Sequence, residues 1–111
     1  MKDDNAIEEE IQAKGLTAPR VKPADIDALM ARVQYFTTQQ PGGTTSTFVH
    51  AFLDGKFELA TGFAACVDPA NFNAEIGENI ARDKAKDLAR NKLWELEGYK
   101  LYFQLNSAVA P

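Results

Sequence analysis

The sequence has 111 residues, of which 45% are hydrophobic and 25% charged, and its formal net charge is −4. A chain of this length forms one domain with a single modest core, and its negative charge argues against nucleic acid and acidic membranes as partners. A lone cysteine excludes an intrachain disulfide framework and fits a reducing compartment.

Within the single domain expected over residues 1–111, residues 1–22 read as an acidic helix and a linker. The opening string "MKDDNAIEEE" has five acidic side chains and no apolar run, so we expect no secretory signal. Asp4 or Asn5 is expected to cap the helix, and Gly15 to end it. No apolar stretch of the sequence is long enough to cross a bilayer, which predicts a cytoplasmic protein without a membrane contact.

Residues 23–111 are expected to form an α+β core. Pro23 suits the first position of a second helix, "PADIDALMARVQYF", because its missing N–H costs nothing there. Hydrophobic residues recur at helical spacing along that string, at Ile26, Leu29, Met30 and Val33. Residues 37–46 then predict a flexible polar loop that turns at Pro41-Gly42-Gly43.

The strings "TFVHAFL" and "KFELATGF" flank Asp54-Gly55 and predict an antiparallel β-hairpin. Pairing Leu53 with Lys56 gathers the larger side chains on one face of the hairpin. Those side chains are Phe48, His50, Phe52, Phe57, Leu59 and Phe63. We expect the helix that follows to cover this aromatic face.

A long helix is predicted from Asn71–Asn73 to about Trp94, with an asparagine as its N-cap. Its apolar arc comprises Ile76, Ile80, Ala81, Ala85 and Leu88. Gly98 is expected to end it, and "YKLYFQLN" alternates like a last strand. The predicted fold is therefore α+β, with two N-terminal helices, an antiparallel hairpin, a long helix packed on it and a C-terminal strand.

The residues that could support catalysis are few. His50 is the only histidine and Cys66 the only cysteine, so neither a metal site nor a Cys-His nucleophile pair is favoured. Within the predicted aromatic face, His50 reads as a half-buried structural residue. We expect no catalytic residue, no metal, no cofactor and no enzymatic activity.

A basic stripe, Arg82, Lys86 and Arg90, recurs every four residues on the long helix. One interpretation is a solvated helix face on which Glu78 and Asp83 reduce the repulsion between the basic side chains. The other is an anion-binding stripe that accepts the phosphates of a small ligand or the acidic N-terminal helix of a second subunit. On the second interpretation the candidate ligand-binding residues are Arg82, Lys86, Arg90, Asn71, Phe72 and Trp94.

Two strings, "FELATGFAACVDPANFNAEIGENIAR" and "NKLWELEGYKL", resemble a family of small tailed-phage accessory proteins. That family is named after gene product forty-nine of coliphage N-four and its Shigella-phage gene sixty-six counterpart. The matching residues are Thr61, Gly62, Ala65, Cys66, Pro69, Asn71, Phe72, Glu75, Ile76, Gly77, Ile80, Ala81, Asn91, Lys92, Trp94, Leu96, Gly98 and Tyr99. "IQAKGLTAPRVKPADID" is similar to the family's N-terminal stretch. The piece "DKAKDLAR" is about four residues longer than its counterpart, close to one helical turn.

The resemblance implies a phage or prophage origin and a place in the host cytoplasm, but it transfers no activity. The first hypothesis is a homo-oligomeric binding protein that sequesters a small anionic ligand, such as a nucleotide immune signal, to counter host defence. The second is an adaptor or inhibitor that binds a host or phage protein through the acidic helix or the exposed hairpin. A structural role without a ligand is a further alternative, and an enzyme would need His50 and Cys66 within hydrogen-bond reach.

Overall fold

A computed structural model of the chain describes residues 3–39 and 44–107. In chain order the elements are α1 (Asp4–Ala13), α2 (Pro23–Met30), β1 (Val33–Gln39), β2 (Thr47–Leu53), β3 (Phe57–Ala64) and α3 (Ala74–Asn106). The strands form one antiparallel sheet in the order β1-β2-β3, and α3 packs against it. The α+β class predicted from the sequence is confirmed.

The N-terminal helices begin close to the predicted positions. Asp3, rather than Asp4 or Asn5, caps α1, because its carboxylate accepts the backbone N–H of Ala6 at 2.7 Å. Gly15 follows the end of α1 with a φ of +67°, a conformation that glycine adopts without strain. Pro23 opens α2 as predicted.

The prediction that α2 continues to Phe36 is wrong, since α2 ends at Met30 and β1 follows. The string from Val33 onward is rich in β-branched and aromatic residues, which fit a pleated strand. β2 supplies the partner, pairing Phe36 with His50 along the ladder. The predicted loop over residues 37–46 therefore begins too early, because 37–39 belong to β1. Its Pro41-Gly42-Gly43 turn lies outside the described residues.

The hairpin turn between β2 and β3 is confirmed, and its register differs from the prediction. Asp54 and Gly55 both have positive φ angles, 57° and 69°. Leu53 pairs with Phe57 instead of Lys56, and a bulge after Ala51 shifts the ladder once more. His50 consequently lies opposite Thr61, and Phe48 lies opposite Phe63.

The prediction that α3 covers the aromatic face of the hairpin is also wrong. The buried residues of β2 are Thr47, Val49 and Ala51, which alternate with the aromatic residues and share the opposite face. The side of α3 that packs on this face has Ala81, Ala85, Ala89 and Leu93, all buried. Of the predicted apolar arc, Ile76, Ile80 and Leu88 are exposed.

A close contact at Gly62 explains which face of the sheet is covered. A Cβ atom on Gly62 would lie 2.0 Å from the carbonyl oxygen of Ala81 and 2.5 Å from the backbone nitrogen of Ala85. The backbone of α3 therefore rests directly on β3, and only small side chains fit between them. Gly77 makes a second close approach, because a Cβ there would lie 3.2 Å from the hydroxyl of Thr47 on β2.

The predicted C-terminal strand is wrong, because α3 continues through Gly98 to Asn106. A glycine inside a helix costs about 1 kcal/mol, which a long helix tolerates once it has been nucleated. Side-chain pairs one turn apart accompany the continuation, including Lys100 with Glu97 at 3.2 Å and Tyr99 with Phe103 at 6.4 Å between ring centroids.

We predict that Gly62→Ala lowers the free energy of unfolding by about 3 kcal/mol or more, because the new methyl group collides with helix backbone that cannot yield. Gly98→Ala is the matched control. It lies inside α3 with open space around it, so it should raise stability by about 1 kcal/mol. Urea unfolding monitored by tryptophan fluorescence measures both. Equal stability of Gly62→Ala and the native chain would contradict the packing described.

Candidate functional site

The basic stripe on α3 lies in a groove bounded by α2, β1 and α3. The groove has a volume of about 570 Å³. Its lining residues are Asp27, Met30, Ala31, Tyr35, Arg82, Asp83, Lys86, Asp87 and Arg90. Three cationic and three anionic side chains thus share it, so the groove has no net charge.

Arg82 is engaged at one end of the groove. Its guanidinium donates to Glu78 at 2.9 Å and lies 5.3 Å from the centre of the Tyr35 ring. The hydrogen bond from Arg82, together with one from the Thr37 hydroxyl at 3.2 Å, lowers the pKa of Glu78. Glu78 is therefore held as an anion beside Arg82, which offsets the charge of the guanidinium.

Arg90 is engaged at the other end, where it holds the N-terminal helix. Its guanidinium donates to Asp27 of α2 at 2.8 Å and to Asp4 of α1 at 3.0 Å. The indole N–H of Trp94 donates to the same Asp4 carboxylate at 3.1 Å. The acidic helix predicted as a partner for the stripe thus binds it within one chain.

Lys86 is the one cation of the groove without an ion pair or hydrogen bond in residues 3–39 and 44–107. It is exposed, and Asp83 and Asp87 also line the groove. An anionic ligand would find one available ammonium group, an aromatic ring at Tyr35 and two guanidinium groups already bound to carboxylates.

The other candidate ligand-binding residues lie apart from this groove. Asn71 and Phe72 line a cavity of about 70 Å³ at the corner between β3 and α3. At that corner Asp68 accepts the N–H of Ala70 at 2.9 Å, and Asn73 caps α3 by accepting the N–H of Ile76 at 3.0 Å. These contacts account for the corner as architecture.

Trp94 faces a third space, a cavity of about 400 Å³ between α1 and α3. Ile7, Ile11 and Val21 also line this cavity, and no residue of α1 is buried. The contact of Asp4 with Arg90 and Trp94 joins α1 to α3. The ion pair of Glu8 with Arg20 joins α1 to the segment that leads to α2.

His50 and Cys66 do not contact each other. Both ring nitrogens of His50 lie 2.9 Å from threonine hydroxyls, those of Thr38 and Thr61. The thiol of Cys66 contacts the carbonyl oxygen of Asp68 at 3.4 Å. Among the described residues no three His, Cys, Asp or Glu side chains are grouped as a metal site would need.

The sheet face opposite α3 is the second candidate site, and sequence reasoning missed its exposure. We call it the phenylalanine face. Its members on the three strands are Phe36, Phe48, Phe52, Phe63, Thr38, His50 and Thr61. Phe36 is 48% exposed and Phe63 is 47% exposed. An antiparallel sheet can present one face to water, but that face is ordinarily polar.

The rings of the phenylalanine face form two pairs around the histidine. Phe36 and Phe52 meet edge to face with centroids 5.7 Å apart, and Phe48 and Phe63 lie 5.2 Å apart. His50 lies between Thr38 and Thr61, so its polar atoms are satisfied inside the face. None of the seven side chains is a lysine or an arginine.

The chain matches a family model described as phage protein (N4 Gp49/phage Sf6 gene 66) family over residues 21–105. The matched range includes the groove-lining residues, the phenylalanine face and most of α3, and it leaves out α1. We also expected residues 11–20 to resemble the family's N-terminal stretch, but the match does not include them. No curated protein and no solved structure matches the chain. In the part of the chain that the structure describes, no helix is long and apolar enough to span a membrane.

We predict that Glu78→Gln destabilises the protein near neutral pH and has less effect in acid. The folded state lowers the pKa of Glu78 below its ordinary value of 4.5. The stabilising contribution is therefore fully present above that value and is lost as the pH falls through the lower, folded-state pKa. Urea unfolding of native and variant chains across this range measures the difference.

Glu58→Gln is the control for this prediction, because Glu58 has no ion pair or hydrogen bond within the described residues. At neutral pH, Glu58→Gln should change the free energy of unfolding less than Glu78→Gln does. A Glu78→Gln difference that stays constant with pH would show that the Arg82 contact does not favour the charged carboxylate.

Proposed function

This chain belongs to that phage protein family, and on this premise we propose that it is a non-enzymatic accessory protein that binds another protein through its phenylalanine face. The observation that supports the proposal is that two rings, those of Phe36 and Phe63, are about half exposed on a sheet face that no described helix covers. Its place of action would be the cytoplasm of the infected cell.

The composition of the phenylalanine face favours a binding surface over a solvated one. Grouped, exposed aromatic side chains are uncommon on monomeric proteins, and aromatic residues are enriched in protein interfaces. A rigid sheet holds the rings in fixed pairs, so little side-chain entropy would be lost when a partner covers them. The hydroxyl and imidazole groups already bond one another, so burying them leaves no polar group unsatisfied.

The charge of the face indicates the chemistry of its partner. Platforms that stack nucleic acid bases combine aromatic rings with a cationic groove for the phosphates. The phenylalanine face has no lysine or arginine, and Glu58 lies at its end opposite Phe52. A phosphate backbone would meet the Glu58 carboxylate and no lysine or arginine of the face, whereas an uncharged apolar protein surface could pack against the rings. We therefore propose a polypeptide of the host or the phage as the partner.

We predict that Phe36→Thr/Phe63→Thr weakens partner binding at least 30-fold, the loss expected when an interface hot spot of about 2 kcal/mol is removed. Threonine suits a strand, so the sheet should persist. The tagged native chain, this double variant and Lys86→Glu would be purified from infected cells. Any polypeptide recovered at one-to-one stoichiometry would then be purified and titrated against all three chains by calorimetry.

The proposal expects binding by the native chain and by Lys86→Glu, and loss of binding by the double variant. Equal binding by the double variant would reject the phenylalanine face. Absence of a stoichiometric partner, or loss of binding only in Lys86→Glu, would also contradict the proposal.

A second candidate function is the sequestration of a small anionic ligand, such as a nucleotide immune signal, in the groove on α3. The free ammonium of Lys86 and the ring of Tyr35 favour it, since one could bind a phosphate and the other a base. Three aspartates in the same groove and the committed guanidinium groups argue against strong anion binding. This candidate therefore ranks below the protein partner.

If the groove binds such a ligand, a cyclic dinucleotide, cyclic trinucleotide or ADP-ribose derivative at about one hundred times its Kd should add about 2.7 kcal/mol. In a domain of this size that raises the unfolding midpoint by about ten degrees or more. Lys86→Glu should abolish the shift, and Lys56→Glu at the hairpin turn should retain it. No shift with any compound, or a shift that survives Lys86→Glu, would reject the groove.

A further inference from the structure

The end of α3 extends past the core. Leu96 is the last residue of the helix that packs against the buried cluster. Residues 97–106 continue as helix, and we call them the distal segment. With 33 residues α3 is about 50 Å long, whereas strands of seven to eight residues span about 25 Å, so the sheet cannot support the whole helix.

Aromatic side chains project from one side of the distal segment. Tyr99, Tyr102 and Phe103 are separated by three and four residues, which places them on one face. They are 66%, 64% and 58% exposed, and the rings of Tyr99 and Phe103 lie 6.4 Å apart. Leu96 precedes them on the same face, giving the three-then-four spacing of apolar residues typical of helix pairs.

This exposure is difficult to reconcile with a chain that remains alone in water. The distal segment extends a helix that is already nucleated, but most helical stability in proteins comes from packing of an apolar face. In the described residues nothing packs on this one. Large exposed aromatic patches indicate a surface that a partner covers.

We propose that a second copy of this chain covers the distal segment, so that two α3 helices pack side by side around a two-fold axis. The segment is electrically neutral, because Glu97 is balanced by Lys100, which it contacts at 3.2 Å. Two copies can therefore approach here without the repulsion expected between chains of net charge −4. A strongly charged partner would find no complementary charge.

The area available agrees with a small dimer. Large aromatic side chains have roughly 200 Å² each, so the three rings, about two-thirds exposed, offer roughly 400 Å² per copy. Two copies together would bury about 800 Å² from these rings alone, and neighbouring aliphatic groups bring the total toward the 1,000 Å² or so that a specific interface needs. The same face on both copies is self-complementary, as a two-fold interface requires.

This inference does not depend on the proposed function, because the distal segment and the phenylalanine face share no residue. Sedimentation equilibrium of the full chain tests it. We expect the native protein to have twice the mass of its 12.2 kDa chain at micromolar concentration. Tyr99→Gln/Phe103→Gln keeps good helix formers and should raise the dimer dissociation constant at least about 100-fold.

Two matched controls accompany this variant. Ile80→Gln/Leu88→Gln removes exposed apolar residues from the part of α3 beside the sheet and should leave the dimer intact. Phe36→Thr/Phe63→Thr should also leave the dimer intact. A monomeric native chain would overturn the proposal. A dimer that survives Tyr99→Gln/Phe103→Gln would overturn it too, and if Phe36→Thr/Phe63→Thr dissociated that dimer, the phenylalanine face would be the contact between copies.

A second measurement remains decisive if the double glutamine variant fails to fold. In a Cys66→Ala background, Lys100→Cys carries a spin label on the distal segment without altering the three aromatic residues. Packed helices have axes about 8–10 Å apart, so two labels on paired distal segments should lie within about 30 Å. A dimer with no such distance, or no intermolecular distance at all, would reject this interface.

Discussion

The contact between Gly62 and the backbone of α3 is the constraint on which the rest of this structure depends. With 2.0 Å between a Cβ at Gly62 and the carbonyl oxygen of Ala81, any larger residue would push the helix off the sheet. Beside this close approach lie small strand residues such as Ala51 and Val49, which are fully buried. Phe48 and Phe52 of the same strand are then placed on the other side, since strand side chains alternate.

Because the helix and the sheet pack so closely, the core is small, and two apolar surfaces remain outside it. One is the phenylalanine face, and the other is the distal segment of α3. The phenylalanine face has two pairs of rings on a sheet, and the distal segment has the neighbouring rings of Tyr99 and Phe103 on a helix. Such a molecule has the means to bind proteins through two separate surfaces, whereas its histidine and cysteine are each engaged in local contacts that leave them apart.

The basic stripe shows how far spacing alone can define a site. A four-residue period placed Arg82, Lys86 and Arg90 on one side of a helix, and the structure brings them into one groove. Their availability could not be predicted, because Asp4 lies 86 positions from the Arg90 that it binds. Half-exposed ion pairs of this kind add little stability, but they decide which cation is left to meet a ligand. That cation is Lys86.

The sequence by itself determined the features that depend on a few neighbouring residues: the start of α2 at Pro23, the turn at Asp54-Gly55 and the cap of α3 at Asn73. Each is a choice of backbone angles or of a hydrogen bond within four positions. Tertiary structure alone decided that residues 33–36 form a strand, which face of the sheet is covered, and that α3 passes Gly98. Those outcomes depend on strand partners and on a helix backbone many positions away in the sequence. The free energy gained by packing against them outweighs the local preference to form a helix, to turn or to end a helix.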